Sequence, residues 1–207
     1  MASEDFRQTA TVVPSPPLPA ARDKPLLRFE ARRRRRAFVA RLSQVERDDL
    51  AAMLPNLLQP LIDKAGRVAA YHAVGSEIDP ASVLKRALER GCDAALPAFD
   101  SADGAMAFRS GMVAETGPHG IAQPPHQAKA IIPDLVLVPL LAVDRRGTRL
   151  GQGGGHYDRA LPALRKAGAT IIGVGWAMQL VEDDLPADPG DVPLDGFVSP
   201  EGMTMWR

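Results

Sequence analysis

A cluster of glycines followed by ionisable and aromatic side chains is the stretch of this chain best suited to chemistry. The cluster consists of Gly151, Gly153, Gly154, Gly155, His156, Tyr157, Asp158 and Arg159. Glycine loses the most backbone freedom on folding, so such a run suggests that something must approach the backbone closely. Successive N–H groups in a glycine turn can converge on an anion, and the start of a following helix favours phosphate. The pattern predicts a phosphate-binding loop, with a turn that merely reverses the chain as the alternative.

The spacing of this loop differs from the two best-known nucleotide motifs. A GxxxxGK[ST] loop needs a lysine and a hydroxyl at fixed positions, and neither is present here. A GxGxxG fingerprint also fails, because His156 occupies the sixth position counted from Gly151. Asp158 offers carboxylate oxygens, the ligands that Mg²⁺ prefers, although it could equally stabilise the first turn of a helix.

Strands and helices are expected to alternate around this loop. Apolar strands between amphipathic helices predict an α/β fold: a mostly parallel sheet flanked by helices in a Rossmann-like three-layer architecture. The predicted elements are a basic helix from residue 24, a helix over 44–61 bent or split by Pro55 and Pro60, a strand over 67–74, a helix over 81–90, strands over 92–99 and 105–110, a central apolar run over 134–144 with its strand ending near Pro139, a helix ending near 166, a strand over 170–176 and a short strand around Phe197.

Composition restricts the kinds of partner. The chain has 207 residues, with 25 basic and 25 acidic side chains and no formal net charge. Neutrality argues against a general nucleic-acid or membrane binder. The arginine run 32–36 points all round a helix, so a solvated face is expected, with one or two arginines near a ligand phosphate. We expect a proline-rich disordered leader over 1–22 and a single domain over 23–207. With one cysteine, no signal peptide and no apolar run that could span a bilayer, the chain is expected to be a cytoplasmic monomer.

Several separated motifs together resemble one enzyme family. The segment LVLVPLLAVDRRGTRLGQGGGHYDRAL, residues 135–161, resembles the signature of the 5-formyltetrahydrofolate cyclo-ligases, also called 5,10-methenyltetrahydrofolate synthetases. Further matches follow the same order along the chain: Lys24, Leu27, Arg28, Tyr71, the GSEID segment 75–79, Leu96, Pro97, residues 106–108, Gln179, Leu185, Pro186 and Asp191. The resemblance covers nearly the whole chain after the leader.

The resemblance implies an ATP-dependent reaction. 5-Formyltetrahydrofolate would be converted to 5,10-methenyltetrahydrofolate, with release of ADP and phosphate. The formyl oxygen is a poor leaving group, so its attack on the γ-phosphorus of ATP would give an iminium phosphate. N10 would then attack the formyl carbon, and phosphate would leave as the five-membered ring closes. Such chemistry depends on alignment of the reactants and on neutralisation of charge.

The resemblance also implies roles for individual residues. The ATP-binding residues would be Lys24, Arg28, Arg149, Gly151, Gly153, Gly154, Gly155 and Tyr157. The catalytic residues would be Lys24, Arg149 and Tyr157. Mg²⁺ would be bound by Asp158 and Asp191. The folate would contact Glu77, Gln152 and His156, with the Glu77 carboxylate accepting hydrogen bonds from the pterin ring. Lys24 and Arg28, four residues apart, are expected to share one exposed helix face.

Three positions depart from the family pattern. His156 stands where many members have tyrosine, Gln123 where a glutamate often precedes proline, and Gly190 where histidine is common. These departures leave a second hypothesis open, a non-catalytic relative that binds nucleotide or folate. An RNA-associated protein that acts through the arginine helix is a weaker third.

Overall fold

The computed structural model describes residues 23–102, 104–111, 113, 115–118 and 120–207. The predicted leader, 1–22, lies outside the described residues. The helices are α1 Lys24–Val39, α2 Gln44–Ala51, α3 Leu54–Ile62, α4 Ala81–Glu89 and α5 His156–Lys166. The strands are β1 Arg67–Ala69, β2 Asp93–Ala98, β3 Ala107–Ser110, β4 Glu115–Thr116, β5 Ala122–Gln123, β6 Leu135–Pro139, β7 Ala142–Asp144, β8 Arg149–Leu150, β9 Thr170–Val174, β10 Leu180–Val181, β11 Gly196–Ser199 and β12 Gly202–Met205.

A seven-stranded sheet forms the centre of the fold, in the order β12-β11-β9-β6-β1-β2-β3. Five neighbouring strands of this sheet are parallel to one another: β11, β9, β6, β1 and β2. The edge strands β3 and β12 are antiparallel. The mostly parallel α/β sheet predicted from the sequence is therefore confirmed.

Helices cover both faces of this sheet because side chains along a strand alternate between its faces. In β6, Leu135 and Leu137 pack into one core with residues of α3 and α4. Val136 and Val138 pack into a second core with Leu161 of α5. Four strands, β1, β6, β9 and β11, contribute side chains to both cores, and with the helices on either side they form the three predicted layers.

A smaller sheet, β10-β7-β8, anchors the first half of α1. Leu27 and Ala31 of α1 are buried against Leu141, Leu150 and Val181 of this sheet region. This packing brings the start of α1 close to the loop that follows β8. Within the described part of the chain, no helix is long and apolar enough to cross a membrane.

The helix predicted over 44–61 forms two separate helices in the structure. The segment after Ser43 splits into α2 and α3 at residues 52–53, with a capping box formed by Ser43 and Glu46. Pro55 lies in the first turn of α3, where its missing N–H costs nothing, but Pro60 lies inside α3 without ending it. The helix is therefore not split at Pro60, whereas the split that was predicted for this segment occurs just before Pro55.

The apolar regions also form shorter strands than predicted. In the run 134–144, the predicted strand end near Pro139 is confirmed, because β6 ends there. The rest of the run forms β7 from Ala142 in a different sheet, which was not predicted. The strand predicted over 67–74 is regular only over 67–69, with one further main-chain bond from the Ala70 N–H to the Ala95 carbonyl. The Tyr71 hydroxyl then donates to the carbonyl of Ile78 at 2.8 Å, which holds the chain after it has left the sheet.

Candidate active site

A cavity of about 490 Å³ opens at the carboxyl ends of three parallel strands. Tyr71 follows β1, Phe99 follows β2 and Pro139 ends β6, and all three line it. Ligands commonly bind at this edge of open α/β sheets. The predicted site residues that line it are Glu77, Arg149, Gly151, Gln152, Gly153, Gly154, Gly155, His156, Tyr157 and Asp158.

The glycine loop leads directly into the start of α5. Gly155 precedes the helix with φ of 68°, in the left-handed region, and no side chain caps the first turn. A Cβ atom at Gly155 would lie 2.7 Å from the Arg159 guanidinium, and one at Gly151 would lie 2.6 Å from that of Arg149. The backbone conformation therefore favours glycine at 155, whereas both close approaches are to the ends of arginine side chains, which can move aside. Within the described part of the chain, the first N–H groups of α5 have no side-chain cap.

Arg28 lies beside this loop, Lys24 lies one helical turn before Arg28 on α1, and neither is among the residues that line the cavity. Arg28 Nε donates to the Gly151 carbonyl at 3.2 Å. Lys24 Nζ lies 2.7 Å from Asp188 and 3.4 Å from Asp191. Burial lowers the pKa of Lys24, but the two carboxylates outweigh it and raise the pKa above its ordinary value. Both basic residues are half-buried, so the expectation that they are exposed is wrong.

The two predicted magnesium-binding carboxylates line the same small cleft, and each forms an ion pair with a basic side chain. Asp158 forms an ion pair with Arg149, whose side chain is only 7% exposed. Asp158 and Asp191 both line a cleft of about 30 Å³. The described residues contain no group of three His, Cys, Asp or Glu side chains that could enclose a metal ion. Mg²⁺ is commonly held by one or two carboxylates together with substrate phosphates and waters, and this pair fits that mode.

Glu77 is held by three donors from different parts of the fold. One carboxylate oxygen accepts from the Val74 N–H at 3.0 Å. The other accepts from the Gln152 amide at 3.1 Å and lies 3.5 Å from the Arg35 guanidinium. The side-chain amide oxygen of Gln152 in turn accepts from the Arg32 guanidinium at 3.0 Å. These contacts fix the orientation of a carboxylate that is only 8% exposed.

Arg35 is a site residue that the sequence analysis missed. It lines the cavity and is 4% exposed, so the expectation of a solvated face is wrong at this position. Its guanidinium donates to the Ser76 hydroxyl at 3.0 Å and to the Leu140 carbonyl at 3.2 Å. Burial lowers the pKa of Arg35, and Glu77 opposes that change. Arg32 and Arg36 also line the cavity.

Tyr157 places an unpaired hydroxyl at the cavity. Its oxygen is buried and has no hydrogen-bond partner among the described residues. Burial raises the pKa of Tyr157, although the Arg149 guanidinium, 5.7 Å from the ring centre, opposes the shift. The phenol therefore stays protonated at neutral pH and can donate a hydrogen bond to a bound molecule.

The three departures from the family pattern have separate structural settings. Gly190 has φ of 97°, a conformation that favours glycine, in the turn where the Asp191 N–H donates to Asp188. His156 lies edge-on to the Phe99 ring. Gln123 is 4% exposed and lines the cavity. Two of the three departures thus lie in the cavity wall.

Several known proteins that are similar to this chain belong to the family that its motifs resemble. The model of the 5-formyltetrahydrofolate cyclo-ligase family matches residues 20–200. The 5-formyltetrahydrofolate cyclo-ligase of Mycolicibacterium smegmatis is 36% identical over 166 residues, which cover 75% of this chain and 84% of that protein. The enzyme of the same name from Escherichia coli K12 is 28% identical over 189 residues, which cover 84% of this chain and 99% of that protein. The solved structure of the 5,10-methenyltetrahydrofolate synthetase of Aquifex aeolicus aligns with a TM-score of 0.72 and 27% identity, covering 87% of this chain and 93% of that one.

Proposed function

The chain belongs to the 5-formyltetrahydrofolate cyclo-ligase family, as its motifs indicated, and we propose that it converts 5-formyltetrahydrofolate to 5,10-methenyltetrahydrofolate at the expense of ATP. The observation that carries the proposal is that Glu77 and the glycine loop line one cavity and are joined through Gln152. A reaction between two substrates requires their binding groups to face a common space. The volume of about 490 Å³ lies within the usual range of ligand pockets.

The folate side of this cavity is assigned to Glu77 and the apolar wall. An ionised carboxylate is an acceptor only, so it suits the adjacent N–H donors of a pterin ring. Its fixed donors Val74 and Gln152 orient it before a ligand arrives. Phe99, Met106 and Ile121 supply apolar surface for the flat rings. His156, at the start of α5, is assigned to the same side.

The nucleotide side is assigned to the glycine loop and the basic residues around it. Lys24, Arg28 and Arg149 neutralise phosphate charge, while Gly151 and residues 153–155 leave the backbone accessible. When bound, ATP supplies the phosphoryl group that converts the formyl oxygen into a leaving group. Asp158 and Asp191 are assigned to Mg²⁺, which would reduce the negative charge around the phosphates.

Tyr157 is assigned to the reacting centre between the two sides. Its protonated hydroxyl is the donor available to an oxygen on which negative charge develops. Arg149 lies close to the same ring and provides positive charge there. The enzyme thereby aligns the reactants and stabilises charge, without forming a covalent bond to either substrate.

An absorbance assay for the methenyl product tests this proposal. Purified protein is mixed with 5-formyltetrahydrofolate, ATP and Mg²⁺, and ADP release is measured in parallel. We expect methenyl product and ADP to form in equal amounts, and no product when ATP is omitted. Arg149→Met should reduce turnover by at least about a hundredfold, whereas Arg145→Met, on the exposed turn nearby, should leave it unchanged. Tight folate binding by folded protein without ADP release would identify a non-catalytic relative instead.

A further inference from the structure

The side-chain amide of Gln123 is hydrogen-bonded to both polar groups of the Phe99 main chain. Its oxygen accepts from the Phe99 N–H at 3.0 Å, and its nitrogen donates to the Phe99 carbonyl at 3.1 Å. The same nitrogen donates to the Glu115 carboxylate at 3.1 Å. Gln123 therefore takes the place of a neighbouring strand at the point where β2 has just ended at Ala98.

The side chain of Phe99, whose main chain is bound by Gln123, lies at the cavity. Its ring lines the cavity and meets the His156 ring edge-on, with centroids 4.7 Å apart and planes at 67°. This is a favourable geometry for an aromatic pair. His156 is the first residue of α5, immediately after the glycine loop. A short series of contacts thus connects β5 to the loop through one aromatic pair.

The two bonds to Phe99 need one hydrogen-bond donor and one acceptor at position 123. An ionised carboxylate can accept from the Phe99 N–H, but it has no proton to donate to the Phe99 carbonyl. It would also lie beside Glu115 with like charge, in a position that is 4% exposed. A protonated carboxylic acid would keep one donor and one acceptor for the Phe99 main chain, although it lacks the second donor that the amide gives to Glu115.

We infer that Gln123 is a positioning residue, whose amide fixes Phe99 so that the Phe99–His156 pair forms the folate wall of the cavity. The naming of the ligand rests on the proposed function, but the positioning of His156 does not. Gln123 and His156, two positions at which this sequence departs from its family, are thus connected through Phe99.

The first test is Gln123→Glu, compared with the wild type and with Gln44→Glu, the same change on the exposed face of α2. At about pH 8 we expect the KM for folate to rise roughly tenfold in Q123E, with the KM for ATP unchanged. Towards about pH 5.5 the difference from wild type should narrow, because the carboxyl becomes protonated. Glu115 faces this carboxyl, and Asp100, paired with Arg109 and His126, lies next to Phe99. Wild type and Q44E carry these same groups, so their profiles serve as the reference.

The second test does not depend on turnover. The chain has four histidines, and the ring-proton resonances of His156 can be assigned by comparison with His156→Gln. In Q123E at about pH 8 these resonances should move as the Phe99 ring shifts, and they should not move in Q44E. If wild-type protein forms no methenyl product, the proposed function fails, while this spectrum still decides whether Gln123 positions Phe99.

Two outcomes with Q123E would overturn the inference. One is Q123E with wild-type folate kinetics and unmoved His156 resonances at about pH 8. The other is a loss of activity that has the same size at every pH and affects the KM values for both folate and ATP, which would indicate a general structural role. If Q123E is unfolded at about pH 8, Phe99→Leu replaces it, since this change removes the ring and keeps the main-chain bonds. A folate KM within twofold of wild type in Phe99→Leu would also contradict the inference.

Discussion

Gln152 donates a hydrogen bond of 3.1 Å to the carboxylate of Glu77, although the two residues are 75 positions apart in the sequence. Gln152 belongs to the glycine loop, and Glu77 belongs to the loop after β1. This hydrogen bond connects the loop assigned to nucleotide with the carboxylate assigned to folate, in the absence of either ligand. A substitution at Glu77 therefore tests whether folate use can be weakened without an equal effect on ATP use.

Replacing Glu77 by glutamine should weaken folate use far more than ATP use. The amide keeps the shape but presents a donor where the pterin N–H groups and the Arg35 guanidinium require an acceptor. We expect kcat/KM for folate to fall by about ten- to a hundredfold, with the KM for ATP changed by less than about threefold. Steady-state rates with each substrate varied in turn measure this. Glu89→Gln, on the exposed end of α4, is the matched control, and an equal loss for both substrates would contradict the assignment.

Arg35→Met should destabilise the fold through the carboxylate that it leaves behind. Arg35 and Glu77 form a buried pair, and removal of one partner of such a pair costs about 3 kcal/mol or more in unfolding free energy. Urea unfolding measures this cost. Arg33→Met, at an exposed pair with Glu30, should change stability by less than about 0.5 kcal/mol.

A double variant separates this effect from lost packing. In R35M with Glu77→Leu no charge remains buried, so the double variant should be more stable than R35M alone. If the double variant loses the sum of the two single changes, the ion pair has no part in the stability of the loop after β1.

The burial of Arg35 was open to prediction from the sequence, whereas its partner was not. Leu27, Ala31, Arg35 and Val39 are spaced by four residues, and all four are buried. Periodicity along α1 therefore places Arg35 on the inner face, despite the run of arginines around it. The contact with Glu77 depends on how α1 packs against the small sheet, which local spacing does not specify.

The same limit applies to the rest of the site. The glycine loop and the start of α5 were predicted because glycine and helix signals are local. The division of 134–144 into β6 and β7 was missed, since an apolar run does not show which sheet each half joins. The bonds from Gln123 to Phe99 were also missed, because Gln123 lies 24 residues from its partner and in a short strand without a periodic pattern.

Both tyrosines of the chain should resist ionisation in the native state. Burial is the largest cause that raises the pKa of Tyr71 and of Tyr157 above the ordinary value near 10. A folded-state pKa above the unfolded value gives stability that is fully present below about pH 10 and is lost as pH rises towards the folded pKa. Each phenol should reduce unfolding free energy by up to about 1.4 kcal/mol per pH unit in that window.

Tyrosinate absorbance measures this directly, since the chain contains only two tyrosines. At about pH 11 folded protein should show little tyrosinate signal, and the signal should appear together with unfolding. Tyr157→Phe should make unfolding free energy fall less steeply above about pH 10. Reversible ionisation of both tyrosines near pH 10 in folded protein would show that neither phenol is protected.

Gly155→Ala should weaken nucleotide binding beyond its effect on stability, and Gly168→Ala provides the comparison. Both glycines have positive φ, 68° and 85°, and they flank opposite ends of α5. An alanine at either position should therefore lower unfolding free energy by about 1–2 kcal/mol. At Gly168 nothing lies within 4 Å of the added Cβ atom, whereas at Gly155, which lines the cavity, the added Cβ atom would displace the Arg159 guanidinium. We expect the KM for ATP to rise about tenfold in G155A and to stay at the wild-type value in G168A. Equal KM values in the two variants would mean that the loop contributes only a turn, and that the phosphates are bound elsewhere.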